Sequence, residues 1–414
     1  MSRSFLCLTL ALLPFICRAQ IQLLPFDTLL LLPSQEQHHV ELLAWGDQHS
    51  SGIFNEMPWN LHRGGYIGRE MRQRSLEALG DRNRMGYDVG ASATWIGPDS
   101  LFGRARWRPV VAASVRSALG VVFTKDAYDL AFFGNAHYEG RTAELAPAVH
   151  LGMGWQGIGV GIQDQISRSF LRVDLVGGRR FDHSRIERGS IYTAMDGLAL
   201  DVDLDGMYMQ SDTATDGAWW PNGVGITLHG RWNLFRQLFG MPATFSASLE
   251  DVGFMHWNSN SLMLEKDTLI IYEGIQVSNV FDLPSLIIGE DRILDTLGLQ
   301  RTRSAFTTMM PFRAALSMDI TVNDVWMAGL SVDHRNLPGY MPHGLVRLAR
   351  RISGRALIGA TVSYGGWGQA RAGLAARMRF GRTVVAEIGS VHVPGFFLAR
   401  TRGAGAHFMI SKAF

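Results

Sequence analysis

The sequence predicts an all-β protein, a transmembrane antiparallel β-barrel of about 14–16 strands with short helical segments as plug, loop or periplasmic elements. Three observations carry that prediction. The segment Gly403–Phe414 alternates, with Ala404, Ala406, Phe408, Ile410 and Phe414 on one face and Gly403, Gly405, His407, Met409 and Ser411 on the other. An apolar face backed by a small and polar one, about one membrane crossing long, describes a strand with lipid outside and water inside. The same alternation recurs through the second half of the chain. Finally, Met1–Ala19 reads as a secretory signal peptide.

The closing strand ends on an aromatic residue, Phe414, which resembles the last strand of bacterial outer-membrane barrels. Lys412 departs from that pattern on the apolar face, but a lysine so near the interface can snorkel. At the other end, Arg3 supplies the positive region, Phe5 to Ile16 the apolar run, and Cys17-Arg18-Ala19 the cleavage site, so cleavage is expected after Ala19. A lipoprotein reading of Cys17 is weaker, because Pro14-Phe15-Ile16 lacks the small residues expected before a lipidated cysteine. Both cysteines, Cys7 and Cys17, lie in this segment, so disulfides, thiolate catalysis and cysteine-bound metals are excluded from the mature chain. Without Arg3 and Arg18 the 39 Lys and Arg fall to 37, balancing the 37 Asp and Glu. A balanced chain has no global attraction to nucleic acid.

Roughly 395 residues then remain, enough for two or three ordinary soluble domains or one large barrel. No later stretch approaches the roughly eighteen consecutive apolar residues of a spanning helix. The 46 glycines are spread along strand-like segments without a period. Glycine on a strand face is unfavourable unless a barrel wall or a close backbone approach needs the room.

The clearest strands lie late. In Arg313–Asn323, Ala314, Leu316, Met318, Ile320 and Val322 oppose Arg313, Ala315, Ser317, Asp319, Thr321 and Asn323. After a tight Asn323-Asp324 turn, Trp326, Ala328, Leu330 and Val332 oppose Met327, Gly329, Ser331 and Asp333. Ala356–Tyr364 and Gln369–Phe380 repeat the pattern. A soluble β-sandwich also alternates, but its inner face is filled with large apolar residues and its outer face is polar and large. Here the polar face is often Gly, Ser, Ala or Thr, and Trp326, Tyr364 and Phe380 sit at strand ends, as a bilayer interface selects.

Earlier strands are expected at Gly90–Ile96, Val110–Phe123, Ala146–Trp155, Ile158–Ile166, Phe170–Val176, Gly197–Met209, Gly223–Trp232, Thr244–Trp257 and Leu269–Val277. Gly68–Leu79 and Leu283–Leu297 read as helices. The resulting division is a signal at 1–19, an N-terminal segment with a short helix at 20–85 (plug or periplasmic part), and a barrel at 86–414 with a helical insertion near 283–298.

Several stretches resemble one family. They are Gly134–Gly140, Ser246–Trp257, Tyr272–Ile275 and Ser304–Pro311. The family is a large set of uncharacterised Bacteroidetes outer-membrane proteins, a domain of unknown function loosely similar to FadL-type barrels and to barrels that accompany type IX secretion. The resemblance runs from about Asn55 to the C terminus, on the order of the blocks more than on any one of them. Asn55-Glu56-Met57-Pro58 departs from it, where many relatives read Asn-Pro-Ala. The resemblance implies location and fold and supplies no catalytic residues.

Two polar groups are candidates for the lumen. Arg371, Arg377 and Arg379, with Glu387 on the next run, point inward together and would either select anionic or amphipathic solutes or pair across the lumen to hold it rigid. Asp201, Asp203 and Asp205 superficially match a calcium loop with Gly206 and Asp212. The alternating Leu198, Leu200, Val202 and Leu204 favour an inward carboxylate ladder instead, so no metal is assigned. The six arginines of Arg63–Arg84 are interleaved with Glu70, Glu77 and Asp81, as a solvated helix face would be. No catalytic motif is visible, so neither an enzyme nor a cofactor is expected. The expected partners are outer-membrane lipid, with hydrophobic small molecules or envelope proteins beyond it. The expected function is a transport barrel for hydrophobic or amphipathic solutes; the alternative is a structural or secretion-associated barrel.

Overall fold

The terminal alternating strand finds a partner on each side, and that closes the sheet. A computed structural model describes residues 23–25, 38–98, 106–197, 199–213, 221–272 and 302–414. Its strands are β1 (His39–Ser50), β2 (Arg82–Ile96), β3 (Trp107–Thr124), β4 (Arg141–Glu144), β5 (Ala148–Asp164), β6 (Phe170–Thr193), β7 (Leu200–Gln210), β8 (Gly223–Leu238), β9 (Met241–Trp257), β10 (Leu262–Tyr272), β11 (Thr302–Arg303), β12 (Phe306–Met309), β13 (Arg313–Thr321), β14 (Trp326–Arg335), β15 (Met341–Ser353), β16 (Ala356–Gly366), β17 (Arg371–Phe380), β18 (Val384–Ser390) and β19 (Gly403–Ala413). Four helices join them: α1 (Glu56–Arg63), α2 (Arg69–Ala78), α3 (Lys125–Phe133) and α4 (Pro394–Phe397).

The ring runs β1-β2-β3-β5-β6-β8-β9 and then β13 to β19, fourteen antiparallel strands. β19 pairs with β1 from His39↔Ala413 to His49↔Gly403, so no wall strand keeps an open edge. The distal half of β6 leaves the ring and pairs with β4 and β7; β7 in turn pairs with β10. Short turns at Phe239-Gly240, 354–355 and 381–383 share one rim with Phe414, here the lower rim. The opposite, upper rim carries the longer connections 51–81, 125–147 and 391–402.

Period two decides which side chain meets which medium. Ile158, Val160, Leu316, Val362 and Ile388 point outward and are each 63–67% exposed, which no water-soluble fold of this size presents as a continuous belt. Aromatic residues bound the belt: Trp232, Phe239, Trp326, Phe380 and Phe414 below, Tyr364 and Phe254 above. Lys412 turns its ammonium over the Phe414 ring, 4.4 Å from its centre. The inner faces explain the glycines. A Cβ at Gly86 would overlap the indole of Trp367, one at Gly90 that of Trp45, and one at Gly178 that of Trp257.

Above the rim, Met57, Leu79 and Tyr128 bury one another and join α1, α2 and α3, with Phe132 and Phe133 packed around them. Thr124 caps α3 by accepting from the Ala127 amide. No described helix is long and apolar enough to cross a membrane.

Several sequence expectations change. The barrel begins at His39 rather than at 86, because β1 is a wall strand inside the segment read as a plug or periplasmic part. Leu23 and Leu24, also from that segment, lie inside the barrel and are fully buried. The two strands expected over Ala146–Ile166 are one, β5, with a register shift at Gly154/Trp155. The helix expected over Gly68–Leu79 is α2, while α1 was unforeseen. The signal segment and the helical insertion near 283–298 lie outside the described residues.

Candidate functional site: the lumen and its mouth

The lumen is filled in layers, each supplied by inward positions of several strands. At the upper rim, residues of the strand ends and the 336–340 loop line a cavity of about 510 Å³, with Val122, Leu151, Phe181, Met209, Met309 and Leu337 on its walls. Its polar lining includes His183, Thr308 and Asn336. A floor of buried aromatic and methionine side chains follows, including Trp155, Trp257, Trp367, Phe181, Met255 and Met310. Phe181 sits 5.3 Å from Trp257 and 5.5 Å from Phe306, centre to centre, within the range of favourable ring packing. The indoles are not left with orphan donors: Trp257 donates to Thr308 (2.9 Å) and Trp367 to the Pro338 carbonyl (3.0 Å).

Packed against this aromatic cluster is a layer of paired charges. Arg116 lies between the Trp45 and Trp155 rings, donates to both oxygens of Asp88 (2.8 Å each) and also pairs with Asp251. Arg335 reaches Asp88 from the far side of the sequence. Arg313 bridges Asp333 (3.3 Å) and Glu250 (3.6 Å). Tyr340 donates to Asp333 at 2.9 Å. His343 stands between Asp333 (3.0 Å) and Arg371 (3.1 Å). Since a guanidinium can only donate, His343 accepts at Nε2 and carries its proton on Nδ1, toward Asp333. Arg371 completes the run by pairing with Asp47 at 2.7 Å. Buried charges without partners would each be strongly unfavourable, and pairing from facing walls resolves that.

Two adjacent acids, Glu250 and Asp251, both face inward, which strict alternation forbids. A bulge at this point sets both opposite His229, with Asp251 in the left-handed region (φ 55°), a conformation that aspartate tolerates. His229 then lies 3.4 Å from Asp174 and 3.7 Å from Asp251.

Lower down, Leu23 and Leu24 pack on Met327, Leu345, Ala349, Leu357 and Ala375. Beside them Arg377 pairs with Glu387 at 2.6 Å, and Glu387 accepts from His407 at 2.9 Å. Outside the wall strands, burial together with the Arg371 charge holds His392 below the usual histidine range.

The four residues read together from the sequence therefore separate. Arg377 and Glu387 are partners across β17 and β18. Arg371 belongs to the charged layer with Asp47 and His343, and Arg379 donates to the Gly354 carbonyl (3.3 Å) near the lower rim. Asp201, Asp203 and Asp205 stand on β7, which is not a strand of the closed ring; Asp203 and Asp205 lie 3.0 and 3.8 Å from Arg188. Among the described residues no three His, Cys, Asp or Glu side chains are grouped to hold a metal ion. Asp47, Asp88, Arg116, Arg313, Asp333 and His343 were missed. Their only sequence signal is a single polar residue on an inward register position.

Residues 184–385, from the distal part of β6 into β18, match the model of a family of unknown function, DUF5723. No curated protein matches the sequence. Among solved structures, the chain is similar to the deltaS2S3 mutant of the monoaromatic hydrocarbon channel TodX, at 9% identity over 92% of this chain and 90% of that one (TM-score 0.43). It is also similar to the toluene transporter TbuX of Ralstonia pickettii, at 8% identity over 92% and 89% (TM-score 0.38). A third likeness is to the translocator domain of the autotransporter NalP from Neisseria meningitidis, at 8% identity over 91% and 88% (TM-score 0.33). These are distant likenesses, and function is read from the geometry of the barrel itself.

Proposed function

We propose that this chain is an integral outer-membrane β-barrel, made with a signal peptide removed after Ala19, that carries hydrophobic or amphipathic solutes. The apolar mouth cavity of about 510 Å³, opening onto a floor of aromatic and methionine side chains, is the observation that supports this most. The exposed apolar belt between aromatic girdles supports the membrane setting, and the short turns beside Phe414 support a periplasmic lower rim. Solute would be taken up at the mouth by apolar contact. Its passage would require the aromatic floor and the paired charges packed against it to rearrange, because straight passage would separate ion pairs in a low-dielectric interior. We assign the chain no enzymatic role.

A second reading is favoured by that same charged layer. Paired across the lumen, it makes a rigid barrel suited to a structural or secretion-associated role with envelope proteins. The two differ in flux. Reconstituted in liposomes, a transporter should take up an amphipathic probe that bare liposomes exclude, and Met309→Gln at the mouth should weaken probe binding about fivefold, from the loss of roughly 1 kcal/mol of apolar contact. Met309 is 62% exposed, so the variant should fold normally. No uptake of any amphipathic probe, together with stoichiometric capture of a secretion component, would replace the first reading by the second.

A further inference from the structure

Outside the lumen, the upper rim carries a second cavity, of about 430 Å³, over the seam where β1 meets β19. Its floor is small: Gly46 on β1, then Ala404, Gly405 and Ala406 on β19. Ala404 has the outward register of the membrane-facing residues, yet it is only 6% exposed, because α1 and α4 overhang it with Pro58, Trp59, His62 and Phe396. The overhang is built in. The buried Asn55 side chain donates to the carbonyls of Gly403 (2.8 Å) and Gly395 (3.1 Å) and to the Thr401 hydroxyl (2.9 Å), tying the start of α1 to the 391–402 loop. Arg402 adds to the tie through the Ser51 carbonyl (2.7 Å) and the Phe54 ring.

Around this pocket the surface is both apolar and basic. Phe397 is 80% exposed, and Leu61, Tyr66 and Leu398 are exposed beside it. Arg63 lies over the Trp59 ring at 5.7 Å, and His62 and Arg400 are exposed at the same rim. Among the described residues no carboxylate pairs with Arg63 or Arg400. The nearby acids are already neutralised: Glu56 and Glu70 by Arg74, and Asp47, which reaches the pocket floor, by Arg371. An apolar slot running along a strand seam, with free cations and aromatic rings at its upper end, is complementary to one class of ligand. A lipid offers an apolar chain and, at one end, an anionic phosphate.

We infer that the α1/α4 overhang is a binding site for a membrane lipid with a phosphorylated headgroup, its chain lying in the slot over Ala404–Ala406 and its phosphate held by Arg63, Arg400 and His62. The inference rests on the outer-membrane reading given above. It assigns α1 and the 391–402 loop a task separate from solute passage, namely seating the seam strands against the surrounding leaflet.

The full-length barrel, purified in micelles of a phosphate-free maltoside detergent, is titrated with phosphatidic acid and followed by native mass spectrometry. Insertion into vesicles and solute uptake are scored on the same preparations. Retention of phosphatidic acid is expected, with affinity lowered about tenfold in R63Q/R400Q, while Ala406→Leu, which fills the exposed end of the slot, should abolish retention without changing insertion. Inorganic phosphate should compete only weakly, since it lacks the chain. Equal retention by wild type and R63Q/R400Q, full displacement by inorganic phosphate, or a co-purifying protein in place of lipid would each overturn the inference. A chain that inserts and transports but retains no phosphatidic acid defeats this inference alone; one that never inserts defeats the transport-barrel reading as well.

Discussion

Replacing Leu330 by arginine separates a membrane barrel from any soluble reading of the same fold. Leu330 points outward from the middle of β14, between Met318 of β13 and Val346 of β15, and is 46% exposed. In water, a substitution at such a surface site changes stability by about 0.5 kcal/mol at most. Near the bilayer midplane the same arginine costs about 2–4 kcal/mol. At about 1.4 kcal/mol per decade this is roughly a 30- to 700-fold loss in the folded-to-unfolded ratio. Leu316 and Leu374, outward on β13 and β17, should behave alike, with smaller penalties toward the rims. Ser317 is the inward control, one position from Leu316 on β13 and paired with Ser331 beside Leu330. Ser331 is a poorer control, because it accepts from Arg347 (3.3 Å) and an arginine there would face a like charge. The assay is urea-titrated folding into phospholipid vesicles, read by gel mobility and tryptophan emission. A Leu330→Arg shift below about 0.5 kcal/mol, or one equal to that of Ser317→Arg, would refute the assignment of faces.

Within the lumen, Arg116→Ala should destabilise the barrel by about 3–5 kcal/mol, because Asp251 loses its arginine while staying buried. Chemical denaturation checks it, and adding Asp251→Asn should recover part of the loss. Leu23→Ala with Leu24→Ala should weaken the packing of the N-terminal segment by about 2–5 kcal/mol per residue and raise single-channel conductance in planar bilayers. Unchanged conductance would mean that these leucines do not help to occlude the lumen.

How much the sequence revealed follows from how sharply the two faces of each strand differ. On β13, β14, β16, β17 and β19 the outer residues are apolar and the inner ones mostly small or polar, so period two is plain. β1 escaped because its inner face mixes Leu43 and Trp45 with His39, Glu41, Asp47 and His49, while its outer face includes Ala44, Gly46 and Gln48. β5 looked like two strands because the register shift at Gly154/Trp155 breaks the alternation at that point. The inward pairing of Glu250 and Asp251 depends on a bulge, which the sequence shows only as two neighbouring acids in an apolar run. The charged layer was the least legible. Arg116 is 28 residues from Asp88 along the chain, and Arg335 is 247 residues from it, so inward register identifies the charge but not its partner. The converging arginines of β17 were foreseen as inward. Their division among three separate partners was not, since it is decided by β1, β15 and the turn at Gly354.

The glycine excess and the filled lumen are two sides of one packing problem. A small eight-stranded barrel fills its interior with its own wall residues, while barrels of about 16–18 strands leave an aqueous channel. A ring of fourteen lies nearer the wider of these two cases. Here the interior holds unusually large inward groups, and each rests where a neighbouring strand offers no side chain: Trp45 against Gly90, Trp257 against Gly178, Trp367 against Gly86, and Leu24 against Gly359. Long arginines add to these by reaching acids on other strands. Among the described residues, the lumen is occupied by interlocked shapes in the aromatic cluster and by paired charges packed against it. Any solute that enters by the mouth first meets the aromatic floor, where displacement of a ring exchanges one apolar contact for another. Separating the ion pairs packed against those rings would be far more unfavourable. On the transport reading proposed above, a hydrophobic solute would be the class best able to begin a passage, and the charged layer would be the step that sets its rate.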